Sequence, residues 1–177
     1  MINETRPASE SAPTPEWEQR LAVLWAAMDD HSEEDFLARM AELTAELPAD
    51  NPVGIFERAA SYDSMGHSDL AVPLYRQALD IGLPGERRRR AVIQMASSLR
   101  NLGQAETSVE LLKAERENGS DALDDAVAAT LALALADSGR EREAVSVALL
   151  ALTRHLPRYQ RSMTNYAKAL IDPDFAE

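Results

Sequence analysis

The segment AASYDSMGHSDLAVPLYRQAL, residues 59–79, carries the reading on which the fold rests. Its centre is Gly66, with an amphipathic run on either side. Two further glycines, Gly103 and Gly139, follow at spacings of 37 and 36 residues, each between two amphipathic runs. Aligning the chain on the three glycines gives one register. Seven residues before each stands Ala59, Ala96 or Ala132, and four before stands Tyr62, Leu99 or Leu135. Five after comes Ala71, Ser108 or Ala144, six after Val72, Val109 or Val145, and eight after Leu74, Leu111 or Val147. Any amphipathic helix shares the 3.6-residue period. A fixed order of small and large residues around a repeated glycine marks an internal repeat.

Two antiparallel helices joined by a tight glycine turn approach closely only where small side chains sit at the crossing, and larger ones fill the space beside them. One such hairpin cannot bury its apolar face alone, so hairpins stack into a right-handed superhelical solenoid. Composition agrees. Aromatics are 5% of the 177 residues and glycines number 7, while alanine, leucine, glutamate and arginine dominate. These are helix formers, and no alternating β-branched run suggests a strand. The expected fold class is an all-α solenoid of about nine helices.

Working outward, residues 1–13 form a Pro-rich, acidic tail without periodicity and are expected to be disordered. Thr14-Pro15-Glu16 supplies a capping residue, a proline at the first helical position and an acid at the positive dipole end. Trp17, Leu21, Leu24, Trp25 and Met28 follow at helical spacing, Asp29-Asp30-His31 breaks the helix, and Ser32 with Asp35 restarts a second. Residues 14–48 thus form an N-terminal helical hairpin, read as a degenerate leading repeat. Residues 50–156 hold three hairpins. A helix near 158–171, opened by Pro157 and carrying Tyr159, Met163, Tyr166 and Leu170 on one side, caps the end.

The first copy, Ala59-x2-Tyr62-x3-Gly66-x4-Ala71-x3-Tyr75-x2-Ala78, resembles the tetratricopeptide repeat. Over roughly residues 50–170 the chain is similar to small bacterial proteins of the group 5 tetratricopeptide type. Stretches such as RRRRAVIQMASSLRNL at 87–102 carry that likeness. It departs from the usual pattern in its longer period, with Leu83-Pro84-Gly85 and Asn118-Gly119-Ser120 as extra linking pieces. Glu115 also replaces a small residue in the second copy and Ser138 an apolar one in the third.

The resemblance implies a protein–protein interaction module whose concave surface, lined by the first helix of each hairpin, takes a partner segment. Carried over by position, that surface consists of Val53, Phe56, Ala60 and Asp63, then Arg90, Ile93, Gln94, Ser97, Arg100 and Asn101, then Ala126, Ala129, Leu133, Ala136 and Asp137. The floor is mostly apolar, with a polar and basic stripe in the middle. Relatives that clamp a C-terminal carboxylate use Lys, Arg and Asn where this chain has Phe56, Ala60, Gln94, Ala126 and Thr130, so chaperone-tail binding of that kind is not expected. The alternative is a homodimer, a structural scaffold burying the groove or the Trp17/Trp25 face against itself.

Formal net charge is −12, concentrated at the front: residues 1–50 hold 12 acids and 3 bases, the remainder 18 and 15. That balance disfavours nucleic acid and anionic membranes as partners. Arg87–Arg90 is the exception, with three readings open: a solvated helix start, a site for acidic peptide or phosphate, or an internal partner for the acidic first 50 residues. No cysteine is present, which excludes disulfides and thiolate metal sites. His31 with Glu34 and Asp35 is too sparse for a metal site, and His67 and His155 read as capping or solvated residues. No phosphate loop, nucleophile elbow or HExxH motif occurs. The chain is expected to be non-enzymatic, without cofactor or metal, and cytoplasmic.

Overall fold

The structure, a computed structural model, describes residues 12–172 and 174. The expected tail 1–13 therefore lies almost wholly outside the described residues. Nine α-helices follow one another, and no strand occurs among the described residues: α1 (Pro15–Ala26), α2 (Glu33–Thr44), α3 (Pro52–Ser64), α4 (Ser68–Ile81), α5 (Gly85–Asn101), α6 (Ala105–Glu117), α7 (Asp124–Asp137), α8 (Glu141–Thr153) and α9 (Gln160–Ala169). The all-α class is thus observed among the described residues.

Local chemistry sets the helix starts. Thr14 Oγ1 accepts from the Trp17 amide at 3.2 Å with Pro15 at the first helical position, and Ser32 Oγ accepts from the Asp35 amide at 3.2 Å. Both caps were legible. A third was missed: buried Asn51 caps α3, its Oδ1 accepting from Val53 at 2.9 Å and Gly54 at 3.2 Å, with Pro52 next in the chain. The break after α1 is a single 3-10 turn, Met28–Asp30.

The three register glycines close three copies of one turn. Gly66, Gly103 and Gly139 have φ of 86°, 77° and 72°. The amide after each glycine donates back across the turn: His67 to the Tyr62 carbonyl, Gln104 to that of Leu99 and Arg140 to that of Leu135, each at 2.9 Å. This is the six-to-one bond of a Schellman cap, which needs a left-handed residue between. Nothing stands within 4 Å of where a side chain would begin at any of the three, so backbone conformation and not space demands glycine.

Of the six small residues of the register, Ala59, Ala96, Ala71, Ser108 and Ala144 are buried and Ala132 is half-buried. Val72 and Val109 are buried too, but Val145 is 49% exposed. Val109 of α6 shares a cluster with Ala144 and Val147 of α8, and no described helix after α9 covers α8 in the same way. The last helix also starts later than its proline suggests. Pro157 and Arg158 lie in a bend, and Tyr159 before Gln160 takes a left-handed backbone (φ 68°).

The chain divides into two compact units, Met1–Ala91 and Val92–Glu177, with the division inside α5. In unit 1, α1 packs on α2, α2 on α3 and α3 on α4. Trp17, Phe36, Met40, Phe56, Ala59 and Tyr75 are among its buried residues. In unit 2, α6, α7, α8 and α9 pack in turn around Ala96, Val109, Leu112, Val127, Leu131 and Leu135.

Candidate partner-binding faces

Unit 1 holds the first set of expected groove residues, and its own side chains occupy them. Phe56 is fully buried, with its ring 6.1 Å from that of Tyr75 and the Arg90 guanidinium 5.4 Å from its centroid. A cation over an aromatic face is worth about 0.5–1 kcal/mol at such partly wet sites. Val53 and Ala60 are also buried. Asp63 is half-buried and accepts from the Tyr75 hydroxyl at 3.2 Å. Burial pushes the Tyr75 phenol far above its ordinary pKa, and the Asp63 carboxylate adds to that shift.

The neighbouring position on α3 is the least expected. Glu57 is 2% exposed, a carboxylate inside an apolar helix face. The Trp25 indole N–H of α1 donates to its Oε2 at 2.9 Å, and Arg87 Nε of α5 donates to its Oε1 at 2.8 Å. The two terminal nitrogens of Arg87 then fork onto Glu18 of α1 at 2.9 and 2.6 Å. Burial works against the Arg87 cation, but its hydrogen bonds to Glu18 and Glu57 outweigh it and leave its pKa above the ordinary value. This network ties α1 to α3 and to the start of α5. Arg87 is therefore an internal partner of the acidic N-terminal segment, and Arg90 is a lid on Phe56.

The Trp17/Trp25 face lies inside the same unit. Trp17 is 3% exposed and donates its indole N–H to the Leu43 carbonyl at 2.9 Å, while Trp25 stacks edge-on against Phe36 with centroids 5.3 Å apart. The histidines pair with acids: His31 with Asp35, His67 with Glu33 and His155 with Asp125, at 2.6, 2.6 and 2.9 Å. No group of three potential metal ligands gathers among the described residues.

Unit 2 presents a different face. Arg100 near the end of α5 pairs with Asp137 at the end of α7 at 2.8 Å, which sets the ends of the two helices side by side. Along these helices Ile93, Gln94, Ser97 and Arg100 are half-buried, as is Ala126, while Asn101, Ala129, Ala136 and Asp137 are exposed. Leu133 is 53% exposed, in a helix whose Val127, Leu131, Ala134 and Leu135 are buried on the other side. In the part of α5 that belongs to unit 2, the Gln94 Oε1 acceptor and the Arg100 Nε donor are buried without a hydrogen-bond partner. Groups in that condition cost about 1–3 kcal/mol each. Sequence spacing placed these residues on one stripe but gave no sign of the orphaned atoms.

The family model for the tetratricopeptide repeat matches residues 52–170, two-thirds of the chain, which takes in all three glycine turns and α9. The chain belongs to the tetratricopeptide repeat family. No curated protein and no solved structure matches it. The matched region begins at Pro52, so α1 and α2 lie outside it although α1 is bonded to Glu57 and Arg87 within it. Tetratricopeptide repeats generally mediate protein–protein interaction, and no catalytic family is indicated. No helix among the described residues is long and apolar enough to cross a membrane.

Proposed function

We propose that this tetratricopeptide protein is a non-enzymatic binding module that receives an extended partner segment along the α5–α7 face of unit 2. The observation that carries the reading is Leu133, 53% exposed on α7, the helix whose end Arg100 of α5 pins through Asp137. An apolar side chain of an extended peptide gains burial on Leu133, and the half-buried Gln94 and Arg100 side chains can meet its backbone. Each well-seated large side chain contributes roughly 1.5–3 kcal/mol. Within unit 1 the corresponding α3 positions are filled by Tyr75, Arg90, Trp25 and Arg87, so the reading rests on unit 2.

The test is selection of peptides from a displayed random library, followed by fluorescence polarisation against the wild type, Leu133→Asp and Gln94→Leu. The expected result is roughly tenfold or greater weakening by Leu133→Asp and a smaller loss with Gln94→Leu. Selected peptides that bind all three proteins equally would overturn the reading.

A further inference from the structure

Unit 1 holds a hollow of about 440 Å³ where α2 passes into α3. Ala41 of α2, Ala45 at its end, Leu47 in the connection, and Gly54, Ile55 and Arg58 of α3 are among its lining residues. That volume falls within the range of about 300–1,000 Å³ of small-molecule sites, which are mostly apolar with a few polar groups that fix orientation. The α2 wall lies outside the tetratricopeptide match that begins at Pro52, so the hollow is not a feature of the repeat itself.

Arg58 is the only charged residue in the lining. It is exposed, and its guanidinium takes no ion pair or hydrogen bond among the described residues. Glu42, Glu46 and Asp50 neighbour the lining in sequence but stand outside it, and Glu46 is held by Arg20. Thr44 also lines the hollow, but its hydroxyl donates to the Met40 carbonyl of its own helix at 2.8 Å. Gly54 sets the inner edge. The other six glycines have a positive φ, whereas Gly54 is helical. A methyl group there would stand 3.4 Å from Leu47 Cδ1 and 3.6 Å from the Thr44 carbonyl oxygen, in contact with two lining residues. Backbone geometry therefore does not call for glycine, and what its missing side chain leaves is space.

We propose that this hollow binds a small aliphatic carboxylate, its chain against Ala41, Ala45, Leu47 and Ile55 and its head group on Arg58. A guanidinium pairs bidentately with a carboxylate, and one unpaired cation in the lining selects one negative charge in the ligand. The rest of the lining offers burial to a hydrocarbon chain, whereas a polyhydroxylated molecule would lose hydrogen bonds to water there without replacing them. The site belongs to unit 1 and is independent of the α5–α7 face proposed above.

The experiment titrates the isotope-labelled full chain with octanoate and follows the amide resonance of Gly54, readily assigned among only 7 glycines. Octanol, octylamine and the peptide acetyl-Ala-Ala-Leu are the comparisons. A saturable shift with octanoate is expected. Binding should weaken at least tenfold in Arg58→Gln and be partly kept in Arg58→Lys. It should weaken as much in Ala41→Leu, where a good helix former at an exposed position fills the hollow. Arg58 and Ala41 are both exposed, so the melting temperatures should stay near that of the wild type, which separates lost binding from lost folding. Leu133→Asp should leave the titration unchanged. No saturation below about 10 mM, equal binding of octanol or octylamine, or equal binding by Arg58→Gln would each overturn the proposal. Tighter binding of the peptide would also overturn it, because the ligand would then be the end of a polypeptide. Loss through Leu133→Asp would place octanoate on the α5–α7 face, overturning this site and leaving the proposed function standing alone.

Discussion

Helices α3 and α7 hold the same place in their repeats, seven and four residues ahead of the turn glycine, yet they have opposite surroundings. On α3, Phe56, Glu57, Ala59, Ala60 and Ser61 are all buried. On α7, Ala129, Leu133 and Ala136 reach solvent although the helix is more apolar. Neighbours and not repeat position account for the difference. Trp25 and the Glu18–Arg87 pair enclose Glu57, and Arg90 closes over Phe56. A repeat therefore offers a binding face only where no side chain of its own unit has already taken it.

Substitutions that attack the enclosed helix should have the largest effects. Phe56→Ala removes a fully buried ring and should cost about 3–5 kcal/mol, whereas Leu133→Ala should stay within about 0.5 kcal/mol of the wild type. Both tryptophans lie in unit 1, so intrinsic fluorescence during urea unfolding reports that unit, and far-UV circular dichroism reports all the helices. Equal costs for the two substitutions would break the comparison. Arg87→Ala strands the buried Glu57 carboxylate and should cost about 3 kcal/mol in the same fluorescence transition. A neutral outcome would show that Glu57 finds water or another donor.

Smaller effects sharpen the picture. Gly103→Ala and Gly139→Ala each force a side chain into a left-handed turn and should cost about 1–2 kcal/mol in the dichroism transition. The smallest belongs to acid pH. In unit 2 the Lys113 ammonium, with Arg140 beside it, holds the Glu143 carboxyl below the usual carboxylate range. A depressed folded pKa means the contribution is whole above the unfolded value near 4.3 and disappears as the pH falls through the folded value. Because the pair is largely solvated, Glu143→Gln should remove only a few tenths of a kcal/mol, seen as a slightly flatter acid limb in melting temperature between about pH 5 and 3.

The sequence showed the hairpins because their determinants are local. A left-handed glycine, a small residue at the crossing and a cap all lie within a few positions of one another. The Glu18–Arg87 pair spans 69 residues and Trp25–Glu57 spans 32, and no periodicity encodes either. Arg87–Arg90 therefore read as a charge run with several candidate roles, and Glu57 drew no notice. One signal was present: Glu57 stands four residues after Val53 and three before Ala60, on the apolar side of the helix, where a carboxylate asks for a buried partner. Phe56 and Leu133 could not be told apart, since each is a large apolar residue on the first helix of its hairpin.

The absence of cysteine gives the most direct test of the comparison between α3 and α7. Single-cysteine variants Ala60→Cys and Leu133→Cys would be labelled with a thiol reagent under native conditions and the rates compared. Ala60 is 2% exposed and Leu133 is 53% exposed, so Leu133→Cys should react at nearly the rate of a free thiol and Ala60→Cys roughly a hundredfold more slowly, limited by local opening. Comparable rates at the two positions would contradict the account, because α3 would then be as open as α7.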